Sequence, residues 1–147
     1  MHLKSLTAAA LLLAAIPGIS QARDTTHYLP LETVIAQATA AGKLDGSVKF
    51  YMAGKKPAGK VTVINPQITT SQKTNAFNKT DEAACAWAMQ SAVIKLANAA
   101  KAAGANAVIE IASNYKGVEY KNPENYECHA GAIMAGVALK AQLASVK

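Results

Sequence analysis

Residues 81–112 read DEAACAWAMQSAVIKLANAAKAAGANAVIEIA, and the change of period inside this stretch decides the fold class. Cys85, Ala88, Met89, Ala92, Val93, Leu96, Ala99, Ala100 and Ala103 recur every three or four positions, which is the spacing of one helical face. Thr80 is placed to cap the first turn, Asp81 and Glu82 suit its positive end, and Gly104 stops the helix. Trp87 and Ile94, seven apart, lie on a neighbouring stripe that could widen the buried face. After Asn106 the period changes to two. Residues 107–112 then read as a strand, with Ile109 and Ile111 on one side and Val108 and Glu110 on the other.

Working outward, residues 31–41 (LETVIAQATAA) place Leu31, Val34, Ile35 and Ala38 on one face of a short helix entered through Pro30 and followed by Gly42. Residues 48–52 and 60–64 are β-branched and aromatic runs separated by a Gly-Lys-Lys-Pro-Ala-Gly turn, which predicts a hairpin. Residues 65–80 (NPQITTSQKTNAFNKT) carry no sustained period. They read as a long polar loop that is either functional or covers a sheet edge. Residues 116–125 read as a polar connection and 126–139 as one last strand, in which Gly131 and Gly136 mark a bend or a close approach. The expected fold class is α+β: one long Ala-rich helix packed on a sheet of about four strands, plus a short N-terminal helix.

The first 22 residues combine Lys4, an apolar run from Leu6 to Ile16 and the small-x-small site Ser20-Gln21-Ala22. This is the pattern of a signal peptide cleaved after Ala22, too short to span a bilayer. It predicts a single periplasmic domain over residues 23–147. Arg23 rather than a cysteine follows the site, so no lipid anchor is expected. Past Ala22 the chain has 14 basic residues against 9 acidic ones, scattered and nearly all lysine. Arg23 is the only arginine, and base-reading surfaces lean on arginine and interleaved aromatics, so no nucleic-acid role is expected.

The two cysteines, Cys85 and Cys128, argue for a disulfide in an exported chain before a metal or a nucleophile. Such a bridge would pin the helix to the sheet. Closing a loop of roughly 43 residues is worth on the order of 4 kcal/mol in the chain-entropy model.

Other motifs yield less. Gly54 to Val61 (GKKPAGKV) fits the nucleotide-binding loop through Gly54, Gly59 and Lys60, but Val61 replaces the magnesium-binding Ser or Thr. The segment also opens into a strand instead of a helix, so it reads as a chance match and no ATP is expected. His27 and His129 are the histidines that could serve a nucleophile, but His129 adjoins Cys128 and the two would point to opposite faces. None of Ser47, Ser71, Ser91, Ser113 and Ser145 sits in a G-x-S-x-G turn. Cys85, Cys128, His129 and His27 match no zinc spacing. Asp81 and Glu82 point to different helix faces, while Glu119, Glu124 and Glu127 flank a loop. No enzymatic activity, metal or cofactor is expected. The contact residues named for a partner are Asn75, Phe77 and Asn78, with Phe77 either a lid buried on the core or an exposed anchor.

Residues 81–140, a Cys near a helix start, AAGANAVIEIA, a polar loop and YECHAGAIMAGVALK, resemble the signalling domain of the Rcs envelope-stress sensor lipoprotein and, more loosely, the YbjQ-type domains. Nearly the whole chain after Ala22 is similar to a group of small exported proteins of unknown role. They share R-D-T-x-H (here Arg23 to His27), T-N-A-F-N-K (Thr74 to Lys79) and C-x-A-G-A-x-M-A-G-V-A-L (Cys128 to Leu139). Such proteins often carry the label of an excinuclease ATPase subunit, which nothing in these residues supports. The resemblance to the sensor implies a disulfide-stabilised module that signals by contact. Cys85 and Cys128 would match one of its two bridges, while the second bridge and the lipid-bearing Cys have no counterpart here.

The expected function is therefore a non-catalytic periplasmic interaction or envelope-stress module, meeting an unknown envelope protein or itself. The alternative is a small-ligand or metal-binding module, oligomeric as the YbjQ-type domains imply. An exposed apolar patch around Phe77 would favour the first and a concave polar site the second. A histidine within reach of a nucleophile or carboxylate would favour an enzyme.

Overall fold

The strand that runs the length of the sheet is the last one. A computed structural model describes residues 23–147; the signal-peptide reading lies outside these residues. The elements are β1 (Thr25–Pro30), α1 (Leu31–Ala40), β2 (Lys49–Met52), β3 (Val61–Asn75), α2 (Asp81–Ala102), β4 (Ala107–Tyr115), β5 (Val118–Tyr120), β6 (Asn125–Ala130) and β7 (Met134–Val146). β3 pairs antiparallel with β7 from Val61↔Val146 to Asn75↔Met134 and so takes one whole edge. The other edge of β7 is shared. β6 holds its start at His129↔Gly136, and β4 holds its second half from Ser113↔Leu139 to Ala107↔Ala144. β1 lies outside β6, β2 runs parallel beside β4, and β5 folds back on β4.

β4 and β6 thus fork apart from one edge of β7. Ser113, the one buried polar residue among those described, closes the fork by accepting a hydrogen bond from the Glu127 amide at 3.1 Å.

The expected sheet of about four strands under one helix is overturned: the sheet is mixed, has seven strands and curls into a half-barrel. Residues 65–75, expected as loop, belong to β3. Half-buried Thr70, Gln72 and Thr74 alternate with exposed Thr69, Ser71 and Lys73, so the period of two is carried by polar side chains and escapes a hydrophobic reading. The expected hairpin does not form. β2 pairs with β4 and β3 with β7, so residues 53–60 are a connection between strands that do not touch. That connection contains Gly54, Gly59 and Lys60, and the Lys60 amide and carbonyl are paired with Lys147. The expected single last strand is two strands, turned at Gly131–Ile133 and closed by the Gly131 amide on the Met134 carbonyl at 2.7 Å. β1 and β5 were not expected at all.

A bulge also re-sorts β4. Glu110 has φ +52°, and the register with both neighbours shifts there. The extra residue turns Ile109 into a small cluster with Ala107 and Ala144, while Ile111 and Val108 face the main core. The expected sharing of one side by Ile109 and Ile111 therefore fails.

Helix α2 begins as its sequence dictates, with the Thr80 hydroxyl accepting from the Ala83 amide at 3.1 Å. Its buried face comprises Ala84, Cys85, Ala88, Met89, Ala92, Val93, Leu96, Ala97 and Ala100. These mostly small side chains let the helix approach Val137, Leu139, Ala141 and Leu143 of β7 closely. Each fully buried Leu, Ile or Val contributes about 1.5–3 kcal/mol. Trp87 is not part of this face; it is 49% exposed, with the Lys43 Nζ 4.5 Å from its ring. Cys85 is bonded to Cys128 of β6, so helix and sheet are joined covalently. No helix among the described residues is long and apolar enough to cross a membrane.

Candidate interaction surface at the turn between β6 and β7

The end of β3 is shaped by its asparagines. The Asn75 side chain accepts from the Phe77 amide at 2.8 Å, and the Lys79 Nζ donates to the Asn75 carbonyl at 3.1 Å. Asn78 takes φ +58°, a conformation that asparagine tolerates better than most residues. Ala76 between them is buried, and its amide donates to the Ile133 carbonyl at 2.7 Å. Asn75 and Asn78 are thus the builders of a turn that presents Phe77, which is 63% exposed. Of the two alternatives for Phe77, the buried lid is not what forms.

The hydrogen bond to Ile133 brings a second apolar element to the same end. Ile133 is 66% exposed and Met134, paired with Asn75, is 46% exposed. Sequence reasoning missed both because it placed them inside a strand. The Gly131-Ala132 step before them was the available signal of a turn.

Beside these residues a groove of about 490 Å³ is lined by Arg23, Asp24, Lys73, Tyr115, His129 and the turn itself. His129 is closely constrained by its partners. Its Nε2 lies 2.5 Å from Glu127 Oε1, its Nδ1 lies 3.1 Å from Asp24 Oδ1, and its ring stacks on Tyr115 at 3.5 Å. Glu127, expected to flank a loop, sits in β6 two residues from His129 and on the same face. The alternation Glu-Cys-His was the signal for this pairing, and it also sends Cys128 to the core.

Arg23 joins this region to the helix. Its guanidinium grips Asp81 through two bonds of 2.7 and 3.0 Å and donates to the Gly131 carbonyl at 2.9 Å. His27 Nε2 contacts the same carboxylate at 2.8 Å. Arg23 first, and His27 second, hold the Asp81 carboxyl down at about 2.

Both histidines therefore lie within hydrogen-bond reach of carboxylates. Cys85 and Cys128 are consumed in the bridge, leaving no free thiol among the described residues. The hydroxyl of Thr26 is 3.5 Å from His129 Nδ1, too long for a good O–H···N bond, and that nitrogen already faces Asp24. Among the described residues no three His, Cys, Asp or Glu side chains are grouped to hold a metal ion.

Charge is uneven around the patch. Lys73 lines the groove, Lys79 follows Phe77, and the Lys116 Nζ stands 5.4 Å from the Tyr115 ring. None of the three joins an ion pair among the described residues, whereas Lys101, Lys121 and Lys140 all do. Compared with known proteins, the chain matches no family model, no curated protein and no solved structure.

Proposed function

We propose that this is a non-catalytic binding module of the periplasm that docks an acidic partner protein on the surface around Phe77, Ile133 and Met134. The observation that carries this reading is the exposure of those three large apolar side chains at one end of the sheet, with Lys73 in the groove beside Ile133 and Met134, Lys79 two residues past Phe77 and Lys116 over the Tyr115 ring that lines the groove. Apolar anchors inside a charged rim are the usual anatomy of a docking surface. The charge selects the occupant. A second copy would bring lysines against lysines, and the whole chain carries a formal +6, whereas a carboxylate-rimmed partner is attracted. The Cys85–Cys128 bridge suits an oxidising compartment, and the resemblance to the Rcs sensor supports an envelope role played by contact.

The experiment is affinity isolation with wild-type protein, the triple variant Phe77→Ser/Ile133→Ser/Met134→Ser and the control Trp87→Ser. A partner retained by wild type and control and lost by the folded triple variant is the expected result. A partner retained equally by all three overturns the reading.

A further inference from the structure

We infer that the groove between α1 and β2 is a separate binding site that takes an extended peptide of about five residues as an added strand. This hollow of about 600 Å³ is lined by Leu31 and Ile35 of α1 and by every residue from Val48 to Met52. Successive residues of a strand point to opposite faces, so a hollow touched by all five abuts the strand's edge. Among the described residues β2 pairs with β4 alone. The Lys49 amide donates to Asn106 and the Ala53 amide to Ile111, each at 3.0 Å, and alternation turns the Phe50 amide the other way, toward the groove.

Helix α1 forms the opposite wall and runs antiparallel to β2. Its first amide donates to the Glu124 carbonyl at 3.0 Å, and Gly54, just past β2, stands beside Pro123. Leu31, Ile35 and Leu44 make the floor apolar. Five residues of edge extend about 17 Å, the span of a pentapeptide strand.

The rim states the rest of the chemistry. Glu32, Glu124 and Lys55 stand at the end where β2 finishes, and Lys49 stands at the end where it starts. None of these four forms an ion pair among the described residues. A small apolar ligand would cover the floor and leave the edge amides and these charges unanswered. A peptide with apolar side chains at its second and fourth positions, a basic residue against Glu32 and Glu124 and an acidic residue toward Lys49 covers the floor, pairs the edge and answers three of these four charges. This site does not depend on the surface around Phe77.

The test uses unmodified protein and an equimolar pool of end-blocked pentapeptides of the form basic, apolar, any, apolar, acidic. Amide NMR shifts are followed during titration. Shifts confined to residues 31–39 and 48–53 are expected. N-methylation of one alternating set of peptide amides should weaken binding about tenfold or more, with the other set tolerated. No shift with the pool overturns the inference. So does binding indifferent to methylation in either set, since that marks an ordinary apolar pocket.

Discussion

The Ala76 amide donates to the Ile133 carbonyl at 2.7 Å, fastening the end of β3 to the turn between β6 and β7. Two segments 57 positions apart in the chain thereby contribute to one surface. The backbone carries this junction, so the side chains around it are free to serve recognition.

Phe77 and Ile133 can consequently be changed with little effect on the fold. Phe77→Ser or Ile133→Ser should alter the unfolding free energy by about 0.5 kcal/mol or less, as for other exposed positions. The same changes should weaken partner binding about tenfold or more, the cost of losing a central anchor. Urea unfolding and binding titration on the same preparations check the two halves.

The bridge should contribute much more. Replacing Cys85 and Cys128 together by alanine is expected to cost about 2–4 kcal/mol in urea unfolding. Intact mass of protein purified without reductant should be two protons below the dithiol value.

The parts of this fold legible in the sequence were those written in apolar residues. The face from Cys85 to Ala100 showed α2, and Leu31, Val34 and Ala38 showed α1. The pairing of the two cysteines followed from their number and context. β3 was hidden because Thr70, Gln72 and Thr74 alternate in place of valines, sharing their polarity locally through the Gln72 to Thr70 hydrogen bond. The bulge at Glu110 was hidden because nothing but its φ distinguishes it from an ordinary strand residue. At the candidate surface, Asn75, Phe77 and Asn78 were visible as an aromatic in a polar run. Ile133 and Met134 were not, because their exposure depends on a turn that local composition disguised.

Ser113 offers a test of the fork. Its buried hydroxyl accepts from the amide of half-buried Glu127. Ser113→Ala leaves that donor without a partner and should cost about 1–3 kcal/mol. Hydrogen exchange at the Glu127 amide should accelerate in the variant.

Asp81 predicts an acid limb of stability. Its carboxyl titrates at about 2 in the folded protein because Arg23 and His27 hold the ionised form, against an ordinary value of 3.8. A depressed folded value means that the unfolded chain takes up the proton first. The contribution is therefore complete above pH 3.8 and is lost as pH falls toward 2. Asp81→Asn should lower the unfolding midpoint at neutral pH and flatten its fall across this window.

Tyr126 predicts the alkaline limb. Burial raises its phenol well above the ordinary 10.0, so the unfolded chain loses that proton first. Stability should be complete below pH 10.0 and decline above it, and Tyr126→Phe should remove part of that decline. Thermal unfolding at a series of alkaline pH values measures the difference.

The most direct test of the proposed docking surface is a photo-crosslinking amino acid placed in turn at positions 77, 133 and 87 in cells that make the protein. The account predicts a discrete adduct with a different protein from positions 77 and 133 and none from 87. That adduct should weaken at high salt and vanish when Lys73, Lys79 and Lys116 are changed to glutamate. An adduct of twice the chain's own mass, an adduct indifferent to salt and charge, or no adduct from 77 and 133 would contradict it.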